Sequence, residues 1–197
     1  MSIQDRHWWY EARRRILKTV LSRLPLPAGA KILEAGSGTG ANLKMLGSLG
    51  NVVGFEPFTP AREKAIKTTG CRIEEGYLPG PIPYEGPFDL VCAFDVIEHV
   101  EQDAASLKAL AGLTTPGGYG VFCVPAFKFL WSQHDVANHH FRRYTRPEFN
   151  ALLKAAGYEV KYISYFNTFL FPVVLAVRTL KNALKLNDKP DEKMPGF

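Results

Sequence analysis

The run Ile32-Leu33-Glu34-Ala35-Gly36-Ser37-Gly38-Thr39-Gly40 reads as a short buried strand that breaks into a loop with three glycines. A helical pattern follows over residues 41–49. Glycines at alternate positions remove side chains where a backbone turns sharply and passes close to a ligand. At the carboxyl end of a first parallel strand, such a loop is where α/β folds bind nucleotide-like molecules. Taken alone, the loop does not choose among those ligands.

The rest of the chain alternates strands with helices. Residues 5–23 have apolar positions at helical spacing (Ile16, Leu17, Val20, Leu21, Leu24) with arginines between them. The preceding His7-Trp8-Trp9-Tyr10 is either a staple that packs this helix or a flap over the pocket. As a flap, it would bring Arg13 or Arg14 to a carboxylate or phosphate. A second strand, residues 51–56, ends in Glu56, 20 positions beyond Gly36. A carboxylate there can accept hydrogen bonds from both ribose hydroxyls of an adenosine. A helix is expected over 60–69 and a third strand over 71–74. A loop rich in glycine and proline follows over 76–87, with Tyr77 and Leu78 as walls for an adenine. The apolar run 88–94 is a buried fourth strand, and 106–113 a helix stopped by Pro116-Gly117-Gly118. Residues 119–124 form a fifth strand. Residues 126–146 lack a period and hold His134, His139, His140, Arg142, Arg143 and Tyr144. A long loop in a compact domain is usually functional. Thr145 and Glu148 form a capping box for the next helix, and residues 158–165 alternate like a sixth strand. This order predicts an α/β fold: a Rossmann-like, doubly wound, mostly parallel sheet with helices on both faces.

Composition narrows the setting. At 197 residues the chain is long enough for one ordinary domain and short for two. Its net charge of +5 has few basic clusters, so no nucleic-acid partner is expected. Cys71, Cys92 and Cys123 have no metal-type spacing and read as reduced residues. With no apolar leader-like stretch at the start, a cytoplasmic location is expected. The helical pattern over residues 169–186 places Arg178, Lys181 and Lys185 between apolar positions. It suits docking on the sheet, a homodimer contact, or a basic amphipathic helix lying on a membrane surface. Residues 1–29 thus form an aromatic and basic cover, 30–166 the binding domain, and 167–197 an amphipathic helix with a polar tail.

Gly36, Gly38 and Ala41 satisfy the relaxed dinucleotide pattern, so a nicotinamide-dependent reductase is one reading. The chain has no Tyr-x-x-x-Lys pair and no G-x-x-x-x-G-K-[ST] loop. Glu34 before the glycines and Gly40 as a third one are features that pattern does not require. Together, Glu34-Ala35-Gly36-Ser37-Gly38-Thr39-Gly40, Glu56, Phe88-Asp89-Leu90-Val91, Asp95-Val96-Ile97-Glu98-His99-Val100 and Pro116-Gly117-Gly118 resemble the ordered motifs of class I S-adenosylmethionine-dependent methyltransferases. The subgroup most similar includes ubiquinone-pathway O-methyltransferases. The resemblance implies S-adenosylmethionine as cofactor, with Gly36, Gly38 and Gly40 beside its methionine part and Glu34 anchoring its ammonium. It further implies Glu56 on the ribose, Pro57 and Tyr77 flanking adenine, and the Ala93-Phe94-Asp95 segment lining the opposite wall.

The methyl acceptor expected from this resemblance is a small or lipid-linked molecule, with oxygen the favoured atom. A hydroxyl acceptor needs a base, and the candidates are His99, His134, His139 and His140. His140 leads them because it lies with Arg143 and Tyr144 in the loop after strand five. Asp95, Glu98 and His99 at i, i+3 and i+4 would share one helical face, which suits either a divalent metal or a capped helix start. A non-catalytic cofactor-binding partner or sensor is the competing function. The polar tail offers no convincing counterpart of the family's usual antiparallel seventh strand, so the expectation is either an edge completed differently or a chain that stops short of its natural end.

Overall fold

A computed structural model of the chain describes residues 8–166 (backbone only for 8–10) together with 171, 172 and 175. Five parallel strands lie in the order β3-β2-β1-β4-β5. They are β1 Lys31–Ala35, β2 Asn51–Phe55, β3 Arg72–Glu74, β4 Phe88–Phe94 and β5 Thr114–Cys123. The helices are α1 Trp8–Leu21, α2 Leu43–Gly47, α3 Thr59–Thr69, α4 Asp103–Gly112, α5 Gln133–Ala137 and α6 Arg146–Ala155.

Side chains along a strand alternate between its faces, and here both faces are covered. Ile32, Leu90 and Cys92 pack with Leu17 and Leu21 of α1 and Leu46 of α2. Leu33, Ala35, Val91 and Ala93 pack on the other side with Leu107 and Leu110 of α4 and with Phe149 and Leu153 of α6. A strand buried on both faces must be apolar throughout, which is why 88–94 carries a continuous apolar run. Each buried leucine contributes ~1.5–3 kcal/mol, so these two layers are the main cohesion of the fold. The capping box at α6 forms as expected, Thr145 and Glu148 each accepting from the other's backbone N–H.

Two expectations about the sheet change. β5 starts at Thr114 rather than Tyr119. Its register with β4 jumps from Phe88↔Thr114 to Leu90↔Tyr119, so Pro116-Gly117-Gly118 forms an excursion within the strand rather than a turn before it. Gly117 supplies the positive φ of +81° that the excursion needs. The sixth strand does not form: residues 158–166 join no ladder among the described residues. Tyr158, Val160 and Ile163 do pack on the core. The step of three between Val160 and Ile163 breaks the period of two that a strand requires. Of the helix expected over 169–186, residues 171, 172 and 175 are described and all three are helical; its other residues from 169 on, the polar tail and His7 lie outside the described residues. No helix among the described residues is long and apolar enough to cross a membrane.

The chain leaves β1 for β2 and β3 on one side, then crosses back to β4 and β5 on the other. The carboxyl ends of β1 and β4 therefore flank the crevice where such sheets bind ligands. Gly36 follows the first and Asp95 the second.

Candidate active site

The loop after β1 turns through positive φ at Gly36 (+64°), Gly38 (+51°) and Gly40 (+84°). A Cβ on Gly36 would lie 2.6 Å from Val96 Cγ2, so the missing side chain lets the segment after β4 close against the end of β1. A Cβ on Gly40 would meet Ala65 and Thr69 of α3 at 3.0 Å. Gly38 differs: nothing lies within 4 Å of its would-be Cβ, so it faces open space.

Beside this loop are two ionisable groups with unfilled hydrogen-bonding capacity. Glu34 is buried in β1; its Oε1 accepts from Asn42 Nδ2 at 3.0 Å, while Oε2 is buried without a partner. Burial outweighs the help of Asn42 and Arg13 and pushes this carboxyl up to about 8. Arg13 reaches in from α1, forms an ion pair with Asp95 and leaves Nη2 buried without a partner. Asp95 itself has φ +57°, a conformation that non-glycine residues adopt mainly at constrained sites. Each buried unpaired polar group costs ~1–3 kcal/mol. A ligand bringing both an ammonium and a carboxylate would relieve both, and an α-amino acid is such a ligand.

Glu56 stands across the loop, accepting from Gly38 N at 2.8 Å and Phe58 N at 3.0 Å. Each carboxylate oxygen keeps a lone pair for a further donor, such as a ribose hydroxyl. Pro57 is exposed, and so is Tyr77, whose hydroxyl donates to Glu75 at 3.0 Å. The side chains of Ala93 and Phe94 belong to the two core layers. Only their backbone is left to line the crevice.

Beyond Asp95 the chain makes a single 3-10 turn, Ile97–His99. Glu98 is buried, its Oε2 has no partner, and burial together with the nearby Asp95 pushes its carboxyl well above the ordinary range. His99 is lowered to about 4 by burial and then by His140, so it stays neutral near pH 7. His140, from the loop after β5, meets His99 edge to face with ring centroids 4.6 Å apart. Glu98, His99 and His140 each offer a ligand atom within 4.8 Å of the others.

This trio replaces the one expected from spacing. Asp95 does not join Glu98 and His99, because the turn is 3-10 rather than α-helical and Asp95 is taken by Arg13. His134 and His139 are exposed and outside the cluster. Arg143 and Tyr144 are buried and committed internally. Arg143 grips Asp135 with Nε at 2.7 Å and Nη2 at 3.0 Å, and the Tyr144 hydroxyl donates to Asp103 at 2.9 Å. Asp135 was not singled out by the sequence reading. Its signal was the Ser132-x-x-Asp135 capping box at the start of α5.

Residues 8–163 match the family described as methyltransferase domain. The chain is 28% identical over 156 residues to a ubiquinone biosynthesis O-methyltransferase of Pseudomonas aeruginosa, covering 68% of this chain and 66% of that one. It is 37% identical over 121 residues to an uncharacterized methyltransferase of Geobacillus thermodenitrificans, covering 58% and 54%. The chain thus spans between about half and two thirds of these relatives' length. Among solved structures, an S-adenosylmethionine dependent methyltransferase from Mesorhizobium loti superposes with TM-score 0.65 at 17% identity, covering 91% and 94%. An S-adenosylmethionine-bound amino pentose methyltransferase of calicheamicin biosynthesis, from Micromonospora echinaspora, gives 0.63 at 18%, covering 84% and 89%. At such identities these two share the fold.

Proposed function

We infer the activity from one premise: the chain belongs to the methyltransferase domain family, of the class I S-adenosylmethionine-dependent kind. It is an S-adenosylmethionine-dependent methyltransferase, and its acceptor is a hydroxyl of a small or lipid-linked molecule. The observation that carries the cofactor half is the pair of unpartnered buried atoms, Glu34 Oε2 and Arg13 Nη2, beside the open face of Gly38. They suit the ammonium and carboxylate of the methionine part, while Glu56 suits the ribose. Asp95 would then give up part of its hold on Arg13 to the ligand's carboxylate.

When bound, the cofactor supplies an electrophilic sulfonium methyl group. The chain supplies orientation and a base. The glycine loop and Glu56 would hold the adenosine, and Glu34 and Arg13 the amino acid, which would orient the methyl group toward the acceptor. The histidine pair lies at the end of β4 beyond Asp95, where an acceptor hydroxyl would enter. His140 would take the proton of the acceptor hydroxyl and so free its oxygen to accept the methyl group. His99, neutral and edge-on to it, helps hold the ring in place. Oxygen is the acceptor atom that such a base serves. The ubiquinone-pathway relative supports the same atom by its name.

A second reading applies to the same trio. Glu98, His99 and His140 offer a carboxylate and two imidazoles at chelating distance, and the unpartnered Glu98 Oε2 supports a divalent cation there. In that case the cation, rather than a free imidazole, would lower the pKa of the acceptor hydroxyl. Titration of cation-stripped protein with Zn2+ or Mn2+, with Glu98→Gln as control, separates the two.

The cofactor assignment is tested by calorimetry with S-adenosylhomocysteine and with NADH. Binding of the first at micromolar level without the second is expected, and the reverse would restore the nicotinamide alternative. Tight binding of S-adenosylhomocysteine with no turnover across phenolic, catecholic and sugar acceptors would favour the non-catalytic sensor.

A further inference from the structure

The loop after β5 is wrapped around one carboxylate. Asp135 is wholly buried and lies at the third position of α5, where Ser132 caps the helix. Its Oδ2 accepts from Ser132 N at 2.9 Å, Ser132 Oγ at 3.2 Å and Arg143 Nη2 at 3.0 Å. Its Oδ1 accepts from Arg143 Nε at 2.7 Å and faces His140 Nδ1 at 3.0 Å. The chain is brought back to make this possible by His139, which takes a positive φ of +55° one residue before His140. The backbone N–H of His140 also donates to the Asp135 carbonyl at 2.9 Å.

We propose that Asp135 is the positioning residue for His140: it fixes the ring through Nδ1 and leaves Nε2 as the lone-pair nitrogen facing the reaction. The Arg143 guanidinium grips both oxygens of this buried group, and Ser132 donates to Oδ2 through its N–H and its hydroxyl, a donor set that fits a carboxylate. An ionised carboxylate can only accept hydrogen bonds. Its partner nitrogen on His140 must therefore carry the proton in the neutral ring as well as in the charged one. That selects the Nδ1–H tautomer, and Nε2 is left as the only basic nitrogen. Arg143 pairs with the same carboxylate through two parallel N–H donors, so the guanidinium balances its charge and fixes its plane. The sequence His140-Phe141-Arg142-Arg143 thus places the base and the clamp on its carboxylate three residues apart. Asp135 touches neither acceptor nor cofactor; it acts through His140. The proposal rests on the reading of His140 as proton acceptor, and it explains why that imidazole would be competent in a fixed orientation.

The test is nitrogen NMR of the full chain labelled with 15N-histidine, recorded across a pH series and read on the neutral form of the ring. His140 is assigned by its loss in His140→Gln. The expected wild-type pattern is a pyrrole-type Nδ1 and a pyridine-type Nε2. In Asp135→Asn the ring should lose that fixed pattern and move toward the Nε2–H form. Arg143→Lys, which keeps a cation beside Asp135, should preserve the wild-type pattern, and Asp135→Glu should restore it at least in part. A merely structural Asp135 predicts the same tautomer in every variant that folds, and that result overturns the proposal. Should Asp135→Asn fail to fold, the wild-type spectrum still decides, since an Nε2–H His140 is incompatible with the assignment. The spectrum needs neither acceptor nor turnover. Loss of the methyltransferase reading would therefore show up in the calorimetry above and leave this result standing, and the converse also holds.

Discussion

Binding of S-adenosylhomocysteine near pH 7 should expel a proton from the protein, with Glu34 as its source. The unliganded carboxyl is raised from 4.5 to about 8 because it is buried with one oxygen unpartnered. At pH 7 a group of that pKa is roughly 90% protonated. An ammonium set against Oε2 favours the ionised form. If the ligand returns the carboxyl to the ordinary range, ~0.9 proton leaves per molecule bound at pH 7 and only ~0.1 at pH 9. Calorimetry in buffers of different ionisation heat measures that number directly as the slope of observed enthalpy against buffer enthalpy. Two controls isolate the source. 5′-Methylthioadenosine, which lacks the amino acid, should release no proton, and Glu34→Gln should abolish the release with S-adenosylhomocysteine. A slope near zero for the unmodified protein at pH 7, or an undiminished slope in Glu34→Gln, would refute the reasoning. The same shift governs the unliganded fold. The folded state keeps a proton that the unfolded chain gives up above 4.5, so stability falls as pH rises from about 4.5 to about 8. Glu34→Gln should remove that part of the slope, measured by urea unfolding across the window.

Arg13→Ala should weaken S-adenosylhomocysteine roughly 10- to 100-fold, the scale of a charge-assisted hydrogen bond, while 5′-methylthioadenosine binds as before; equal losses for both would place Arg13 elsewhere. Gly36→Ala forces a side chain into a positive-φ position against Val96. It should cost ~2–4 kcal/mol in urea unfolding, and a variant as stable as the parent would contradict the packing described. Burial pushes the Cys123 thiol up to about 12 and raises Cys92 well above its ordinary value. Only Cys71 should therefore react promptly with a thiol reagent at pH 8, and a second fast thiol would show that the core layer opens.

The fold was legible because its signals are local. The glycine loop, the apolar run at 88–94 and the Thr145–Glu148 box each lie within a few neighbouring residues, and each element formed close to where it was read. The third strand and the helix over 60–69 needed shifts of only one residue at an end. The sixth strand failed because its alternation slips at Tyr162, a 74% exposed side chain where the pattern asked for burial. Side-chain partnerships were harder to read. Asp95 meets Arg13 across 82 positions, and helical spacing had instead offered it to Glu98 and His99. Arg143 and Tyr144 drew attention because they sit near His140 in sequence. Their partners, Asp135 and Asp103, are what commit them to the interior. No local pattern reports which of two neighbouring polar residues turns inward. That choice is made by where the opposite charge sits in the folded chain.

If Arg13 takes the ligand's carboxylate as proposed, its seating on α1 makes that helix a participant in cofactor affinity. Leu17 and Leu21 hold that helix on the sheet, and Arg13 extends from it into the crevice. Helix docking and ligand binding are then linked equilibria, and linkage is reciprocal. Whatever factor the bound cofactor adds to the docking constant of α1, docking must add to cofactor affinity. A membrane, an acceptor or another protein that draws residues 8–21 off the sheet would therefore act as a release device for the spent cofactor. Hydrogen exchange across α1, with and without S-adenosylhomocysteine, measures that factor from the helix side, and calorimetry on Leu21→Ala measures it from the ligand side.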